Sequence, residues 1–250
     1  WLIALYIERQ KSRSGRAKFG LLMMCVVNLG LLGVFKYGGF ILGNIQYFTG
    51  FPQKIPEILL PIGISFYTFQ LVSYIIDVYW GKVAAQKSLV ILATYITMFP
   101  QLIAGPIVRY SDVERQLVDR DITFKRIAYG IRRFCLGMGK KILIANVLGE
   151  YCAAFKATDE KSVIFYWTYA IAVSLQIYFD FSGYSDMAIG LGSMLGFKFI
   201  ENFNYPFISK SATEFWRRWH MSLGTWFRDY VYIPLGGSRC SAPRLMFNIF

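Results

Sequence analysis

Five long apolar runs dominate this chain, at about residues 19–35 (continuing toward 48), 58–80, 88–107, 127–149 and 163–195, and short polar links hold most of the charge between them. A helix needs about 20 mainly apolar residues to cross about 30 Å of hydrocarbon. Each run meets or approaches that length. Of the 250 residues, 55% are hydrophobic and only 17% charged, where a typical soluble domain carries about 25% charged. A soluble sphere of this size could not cover so much apolar surface, so lipid must cover part of it. The fold class is therefore all-α and integral to a membrane. Disordered, collagen-like and small disulfide-stapled chains are excluded. A sixth stretch, 212–235, is amphipathic and too charged for a plain lipid-facing span.

The charge map predicts the topology. The opening link holds Arg9, Lys11, Arg13, Arg16 and Lys18 against Glu8 alone, which places it on the cytoplasmic side by the positive-inside rule. Residues 36–57 carry only Lys36, Lys54 and Glu57 and fit the outer side, whereas Lys82 and Lys87 return inside. Residues 109–141 hold nine basic side chains and four acidic ones, and 198–244 hold seven and three, so both belong inside. The 150–161 link, with three acids and two lysines, belongs outside. The net charge of +12 is spread through these links, which argues against a nucleic-acid partner and for the lipid bilayer as partner.

One conflict follows. If Lys87 and Arg109 are both inside, 88–107 cannot cross once. Its end, Phe99-Pro100-Gln101-Leu102-Ile103-Ala104-Gly105-Pro106, contains two helix-breaking prolines. A re-entrant hairpin resolves the conflict, and such backbone persists at membrane depth only when buried in protein or lining a wet cavity. Trp1 stands where a start methionine would be, and the chain stops inside a fresh apolar run at Phe250. The expectation is a single transmembrane domain over 1–250, internal to a larger protein and incomplete at both ends, with no signal peptide assignable.

Ionisable groups at membrane depth cost a few kcal/mol or more and face a partner or a cavity. Asp180 and Asp186 interrupt the last run, in Phe179-Asp180-Phe181-Ser182-Gly183-Tyr184-Ser185-Asp186. They are either paired to an arginine or to a broken helix end, or they line a polar tunnel, with Ser182 and Tyr184, or orient a catalytic base. Asp77 sits near a helix end and is expected to be an interfacial anchor. Ser211-Ala212-Thr213-Glu214 has capping-box spacing, so a helix is expected to start at Ser211 and run to Tyr230. It would place Trp216, His220, Leu223 and Phe227 on one side, with Arg217 nearby and Arg218 elsewhere.

His220 is the chain's sole histidine. It is either a hydrogen-bonded structural residue or a base, since imidazole titrates near neutrality. No second His or Cys stands at ligand spacing, so no metal is expected. The pattern lacks GxSxG, Walker A, GxGxxG and HExxH, which removes those chemistries from this stretch. Cys25, Cys135, Cys152 and Cys240 are scattered and are expected to be packing residues. Gly236-Gly237 is expected to form a turn.

Taken in order, Pro61-Ile62-Gly63-Ile64-Ser65-Phe66-Tyr67-Thr68-Phe69-Gln70, Phe99–Ile107, Phe179–Asp186, Asn202-Phe203-Asn204-Tyr205-Pro206-Phe207 and Glu214–His220 through Arg228-Asp229-Tyr230 resemble the membrane-bound O-acyltransferase family. The closing Tyr232-Ile233-Pro234-Leu235-Gly236-Gly237-Ser238-Arg239 resembles its alginate O-acetyltransferase branch. The D-alanyl-transfer branch of teichoic acid synthesis shares the stretch around His220 but is less similar after Tyr230.

The resemblance implies a multi-helix ring around a thinned centre in a bacterial inner membrane, crossed several times. It implies acetyl taken from a cytoplasmic thioester such as acetyl-CoA, with no bound cofactor, and passed to periplasmic acetyltransferase partner proteins that esterify polysaccharide hydroxyls. The family's usual catalytic histidine lies in a later Trp-His-Gly setting that this chain does not reach, so the stretch alone is expected to be inactive. His220 corresponds to the family's other histidine, in Arg-Trp-His, which either lines the tunnel or assists the chemistry. Arg217, Arg218 and Arg228 become candidates for the donor's phosphates, or anchors at the cytoplasmic face, and Trp219 is a candidate for the tunnel or donor site. Readings of a different class are a transporter of polysaccharide precursors, which would bring internal repeats that the halves do not show, and a scaffold for polymer synthases.

Overall fold

The computed structural model describes residues 1–10, 14–50, 59–102, 105–159 and 162–249, and among them every regular element is helical. Two compact units divide the chain: Trp1–Ile103 with Arg109–Leu117, and Ala104–Val108 with Val118–Phe250.

The first unit opens with α1 (Leu2–Arg9) and α2 (Gly15–Thr49). Ser14 caps α2 by accepting the Ala17 N–H at 3.2 Å, and Gly50 ends it in the left-handed conformation. At 35 residues α2 is about 52 Å long, more than enough to cross a bilayer. Only 11% of its most apolar window is buried, so it is no soluble-protein core helix and its apolar sides need lipid or another chain.

The expected span 58–80 is shorter than its sequence suggests. Its described helix, α3, is Ile64–Trp80, and residues 51–58 lie outside the described segments. Gly63 precedes α3 at φ +75, where any side chain would run into the Leu102 carbonyl. Asp77 corrects the anchor expectation: it is 1% exposed, with the Lys82 ammonium 3.6 Å away across the turn that ends the helix. Run 88–107 is broken. The first piece, α4 (Leu89–Thr97), stops where Met98 turns to extended backbone, and α5 (Phe99–Leu102) follows. The tip of the expected re-entrant hairpin, 103–104, lies outside the described residues. The unit's core is an edge-to-face stack of Tyr74, Tyr110 and Tyr95, with centroids 4.9 and 5.3 Å apart. Tyr110 belongs to α6 (Tyr110–Val118). The 81–88 link is fastened here: the Gln86 N–H donates to Tyr74 Oη at 2.8 Å, and its side-chain amide to Tyr110 Oη at 2.9 Å.

The second unit is built on two long antiparallel helical runs. One is α7 (Phe124–Gly139), continued through a π-helical stretch at Lys140–Asn146 into α8 (Val147–Ala157). The other is α9 (Val163–Met194), 32 residues capped by Ser162, with 6% of its most apolar window buried. Asp180 and Asp186 therefore interrupt the hydropathy of the run without breaking the helix. Glycines bring the two runs into backbone contact. Gly130 faces Gly190 and Gly137 faces Gly183, so a seven-residue spacing on one helix meets the same spacing on the other. A Cβ on Gly137 would sit 2.5 Å from the Gly183 carbonyl oxygen, and one on Gly190 2.6 Å from that of Gly130. Without a hydrophobic drive between helices in lipid, this close approach is how they gain van der Waals contact.

Beyond α9 the chain forms a 3₁₀ turn (Pro206–Ile208), α10 (Ala212–Arg218), α11 (Met221–Phe227), a π turn (Arg228–Tyr232) and α12 (Ala242–Ile249). Ser211 caps α10 as expected, accepting the Glu214 N–H at 3.1 Å. The expected helix from Ser211 to Tyr230 is not continuous, because it breaks at Trp219–His220 and the supposed shared face does not exist. Gly236 and Gly237 form the expected turn, at φ +115 and +55. All four cysteines are free, with Cys135 exposed rather than packed.

Candidate functional site

The break at His220 is the centre of the site. His220 adopts φ +44, one of two non-glycine residues described with positive φ. Such a conformation costs about 1 kcal/mol or more and persists where its surroundings impose it. Here the 202–204 segment clamps both sides: the Asn204 N–H donates to the Arg218 carbonyl at 2.9 Å, and the Met221 N–H to the Asn202 carbonyl at 2.9 Å.

The Asn202 side chain reaches the same place. It is 1% exposed, and its Nδ2 donates to Ser185 Oγ on α9 at 3.0 Å. Its Oδ1 accepts from the Ser222 N–H at 3.3 Å and the Ser222 hydroxyl at 2.9 Å, and lies 2.9 Å from His220 Nδ1. Ser222 Oγ in turn accepts the Ile107 N–H at 3.0 Å. The far end of the proline-rich segment is thus tied into the site, a link over 115 positions that no local spacing encodes.

Aromatic rings enclose His220. Phe181 meets the imidazole edge-on at 4.8 Å, while Trp219 stacks on Phe215 and touches Phe203 and Phe181. The histidine lies in the link between α10 and α11, outside the two long spans, and burial pushes its pKa down to about 4. It is a neutral imidazole at physiological pH.

Beside this network lies a cavity of about 720 Å³, walled by α7, α9 and the 201–205 segment, with Asn202, Ser182, Ser185 and Met221 in its lining. Its charged wall is a closed quartet. Arg133 donates to Asp186 Oδ1 at 2.6 and 2.8 Å and to Glu201 at 2.5 and 2.9 Å, and Lys140 reaches Asp186 Oδ2 at 2.6 Å. Two cations offset two carboxylates, which makes burial of Asp186 tolerable. The wider π turn starts here. From it the consecutive Lys140 and Lys141 reach two carboxylates six positions apart on α9, Lys141 pairing with Asp180.

The structure brings together some expected site residues and not others. Asp186 and Ser182 line the cavity, and Ser182 Oγ is buried without a hydrogen-bond partner among the described residues. Asp180 is ion-paired and 43% exposed, and Tyr184, half-buried, is not in the lining. Arg218 is occupied by Glu214 and the Asn204 carbonyl, Arg228 by Asp229, and Arg217 is exposed. Among the described residues no cluster of three metal-binding side chains occurs.

Residues 84–249 match the profile of the membrane-bound O-acyltransferase family. The chain belongs to that family. It is 47% identical over 255 aligned residues to "Probable alginate O-acetylase AlgI" of Pseudomonas aeruginosa, covering 99% of this chain and 48% of that protein. It is 48% identical to the protein of that name in Azotobacter vinelandii, covering 95% of this chain and 48% of the relative. A teichoic acid D-alanyltransferase of Bacillus subtilis is 33% identical, covering 93% and 58%. The chain therefore spans about half the length of the alginate-branch relatives it matches.

Membership gives the site its context but does not by itself pick out Arg133, Lys140, Glu201, Asn202, Ser185 or Ser222. Arg133 and Lys140 carry a readable signal, two cations seven apart on one helical face opposite an intramembrane acid. Asn202 was visible within a motif, with nothing local to say that its side chain would meet His220.

Proposed function

We propose that this chain is part of a multi-pass bacterial inner-membrane O-acyltransferase that moves acetyl from a cytoplasmic thioester toward an exported polysaccharide such as alginate. The observation that carries this is the 45–48% identity to alginate O-acetylases over most or all of the chain, against 33% to the D-alanyl branch. The geometry is compatible: a cavity with one charged wall beside a neutral enclosed histidine suits acyl transfer away from bulk water.

In this reading an acceptor hydroxyl attacks the thioester carbonyl, the new C–O bond forms, and the C–S bond breaks. A base takes the hydroxyl proton and the departing thiol recovers one. The resemblance assigns that base to a histidine in a Trp-His-Gly setting. With a pKa of about 4, His220 is a weak proton acceptor near pH 7. Its role is to accept a hydrogen bond and orient the reacting group. In this reading Asp180, Ser182, Tyr184, Asp186 and Trp219 shape the passage, while Arg217, Arg218 and Arg228 attract the donor's phosphates. Periplasmic acetyltransferase proteins complete the transfer.

Ester-linked acetate on exported polysaccharide tests the reading in wild type, a deletion strain and the full-length complement. Loss on deletion with recovery on complementation is expected. Unchanged acetate with altered polymer yield would replace this reading with a transport or scaffold role.

A further inference from the structure

We infer that Asn202 is the positioning residue for His220, fixing the imidazole as the Nδ1–H tautomer so that Nε2 presents the lone pair. The inference rests on the acyl-transfer reading only for its purpose; the tautomer follows from hydrogen bonding alone.

The orientation of the Asn202 amide is settled by a group that cannot change roles. The Ser222 main-chain N–H can only donate, and it points at Asn202 Oδ1 at 3.3 Å, so that atom is the oxygen. The Ser222 hydroxyl accepts from the Ile107 N–H and spends its own proton on the same oxygen, at 3.0 and 2.9 Å. Asn202 Nδ2 is directed away, to Ser185 Oγ. His220 Nδ1, 2.9 Å from an oxygen that has no proton to give, must carry the proton itself. In a neutral ring Nε2 is then bare.

The enclosure keeps the ring neutral. Phe181 from α9, Asn202 from the 202–204 segment and Ser222 from α11 contact the imidazole, and all three are uncharged. On the surrounding elements Asp186 and Glu201 pair with Arg133, Asp186 also with Lys140, Asp180 with Lys141, Arg218 with Glu214, and Arg228 with Asp229, while Arg217 on α10 is exposed to the surroundings. Asn202 thus sets both the backbone kink, through its carbonyl on Met221 N–H, and the ring's proton, through its side chain. A carboxylate at 202 would keep the acceptor and add a charge, which raises the pKa of a histidine in contact by about one to three units.

Histidine-selective ¹⁵N labelling of the full-length protein in detergent, with the His220 signals assigned by their absence in His220→Asn, reads the tautomer without needing activity. Near pH 7 the proton is expected on Nδ1; a proton on Nε2 would overturn the inference. In Asn202→Asp the His220 midpoint should rise by about one unit or more, and an unmoved midpoint would equally overturn it. The wild-type spectrum decides even if the variant fails to fold. An Nδ1–H tautomer in a protein that transfers no acetyl would refute the function and leave the inference standing.

Discussion

Replacing Gly137 by alanine should separate the two long helices and damage the charged wall with them. The added Cβ would lie 2.5 Å from the Gly183 carbonyl oxygen, 2.8 Å from the Met187 nitrogen and 2.9 Å from the Asp186 Cβ. The first two are backbone atoms of α9 and cannot rotate aside. Restoring ordinary contact requires the helices to part locally by roughly 0.8 Å, which forfeits a quarter to a half of the dispersion well for the atoms that lose touch. The same shift would stretch the 2.6 Å contacts of Arg133 and Lys140 with Asp186 to about 3.4 Å, at the edge of hydrogen bonding. Overpacking of this kind costs about 1–3 kcal/mol, and the shared strain on the quartet places Gly137→Ala toward the upper end. Gly139→Ala is the matched control on the same helix. Its Cβ meets nothing within 4 Å, so it should be neutral or gain up to about 1 kcal/mol from helix propensity. Thermal unfolding of the full-length variants in one detergent compares them. If Gly137→Ala proves as stable as Gly139→Ala, the backbone contact between α7 and α9 is not what holds this unit.

Three further outcomes follow from the site. Asp186→Asn should destabilise by about 1–3 kcal/mol, because it takes the carboxylate from Lys140 and leaves Arg133 with Glu201 alone, whereas Asp180→Asn at its 43%-exposed position should cost less than about 1 kcal/mol; thermal shifts in detergent compare the two. Ser222→Ala removes the acceptor of the Ile107 N–H and a donor to Asn202, and should cost about 1–3 kcal/mol, with faster hydrogen exchange at Ile107. The neutral His220 ring makes stability depend on pH. With a folded pKa of about 4 against an ordinary 6.5, the unfolded chain takes up the proton first, so this contribution is whole above pH 6.5 and is lost as pH falls toward 4. Denaturation scans should show that decline in wild type and a flatter curve in His220→Gln.

The helical runs, the Ser211 cap and the Gly236-Gly237 turn were legible in the sequence because each depends on local pattern. An arginine partner was legible as one option for the two acids and is met at Asp186 by Arg133, whereas the lysines that reach Asp186 and Asp180, Lys140 and Lys141, were not read from the sequence. The break at His220 was not legible. Every residue from Ser211 to Tyr230 is compatible with helix, and the kink is imposed by main-chain bonds that join Asn202 to Met221 and Asn204 to Arg218, far along the chain. Asp77 misled for a similar reason: hydropathy sets a charge at a helix end, while tertiary packing buried it beside Lys82. The glycine spacing of seven on both α7 and α9 stands in the sequence, but its meaning appears only once the two helices are paired.

The most direct test is transfer of labelled acetyl from acetyl-CoA to ester-linked product, measured with membranes that carry the full-length protein and the periplasmic acetyltransferases proposed as its partners. Wild type and His220→Ala should be inserted in the membrane to equal levels. The account predicts transfer by wild type and a loss of tenfold or more in the variant, the order expected when one preorganised hydrogen-bonding group is removed. Equal transfer by the two would remove His220, and the site built around it, from the reaction.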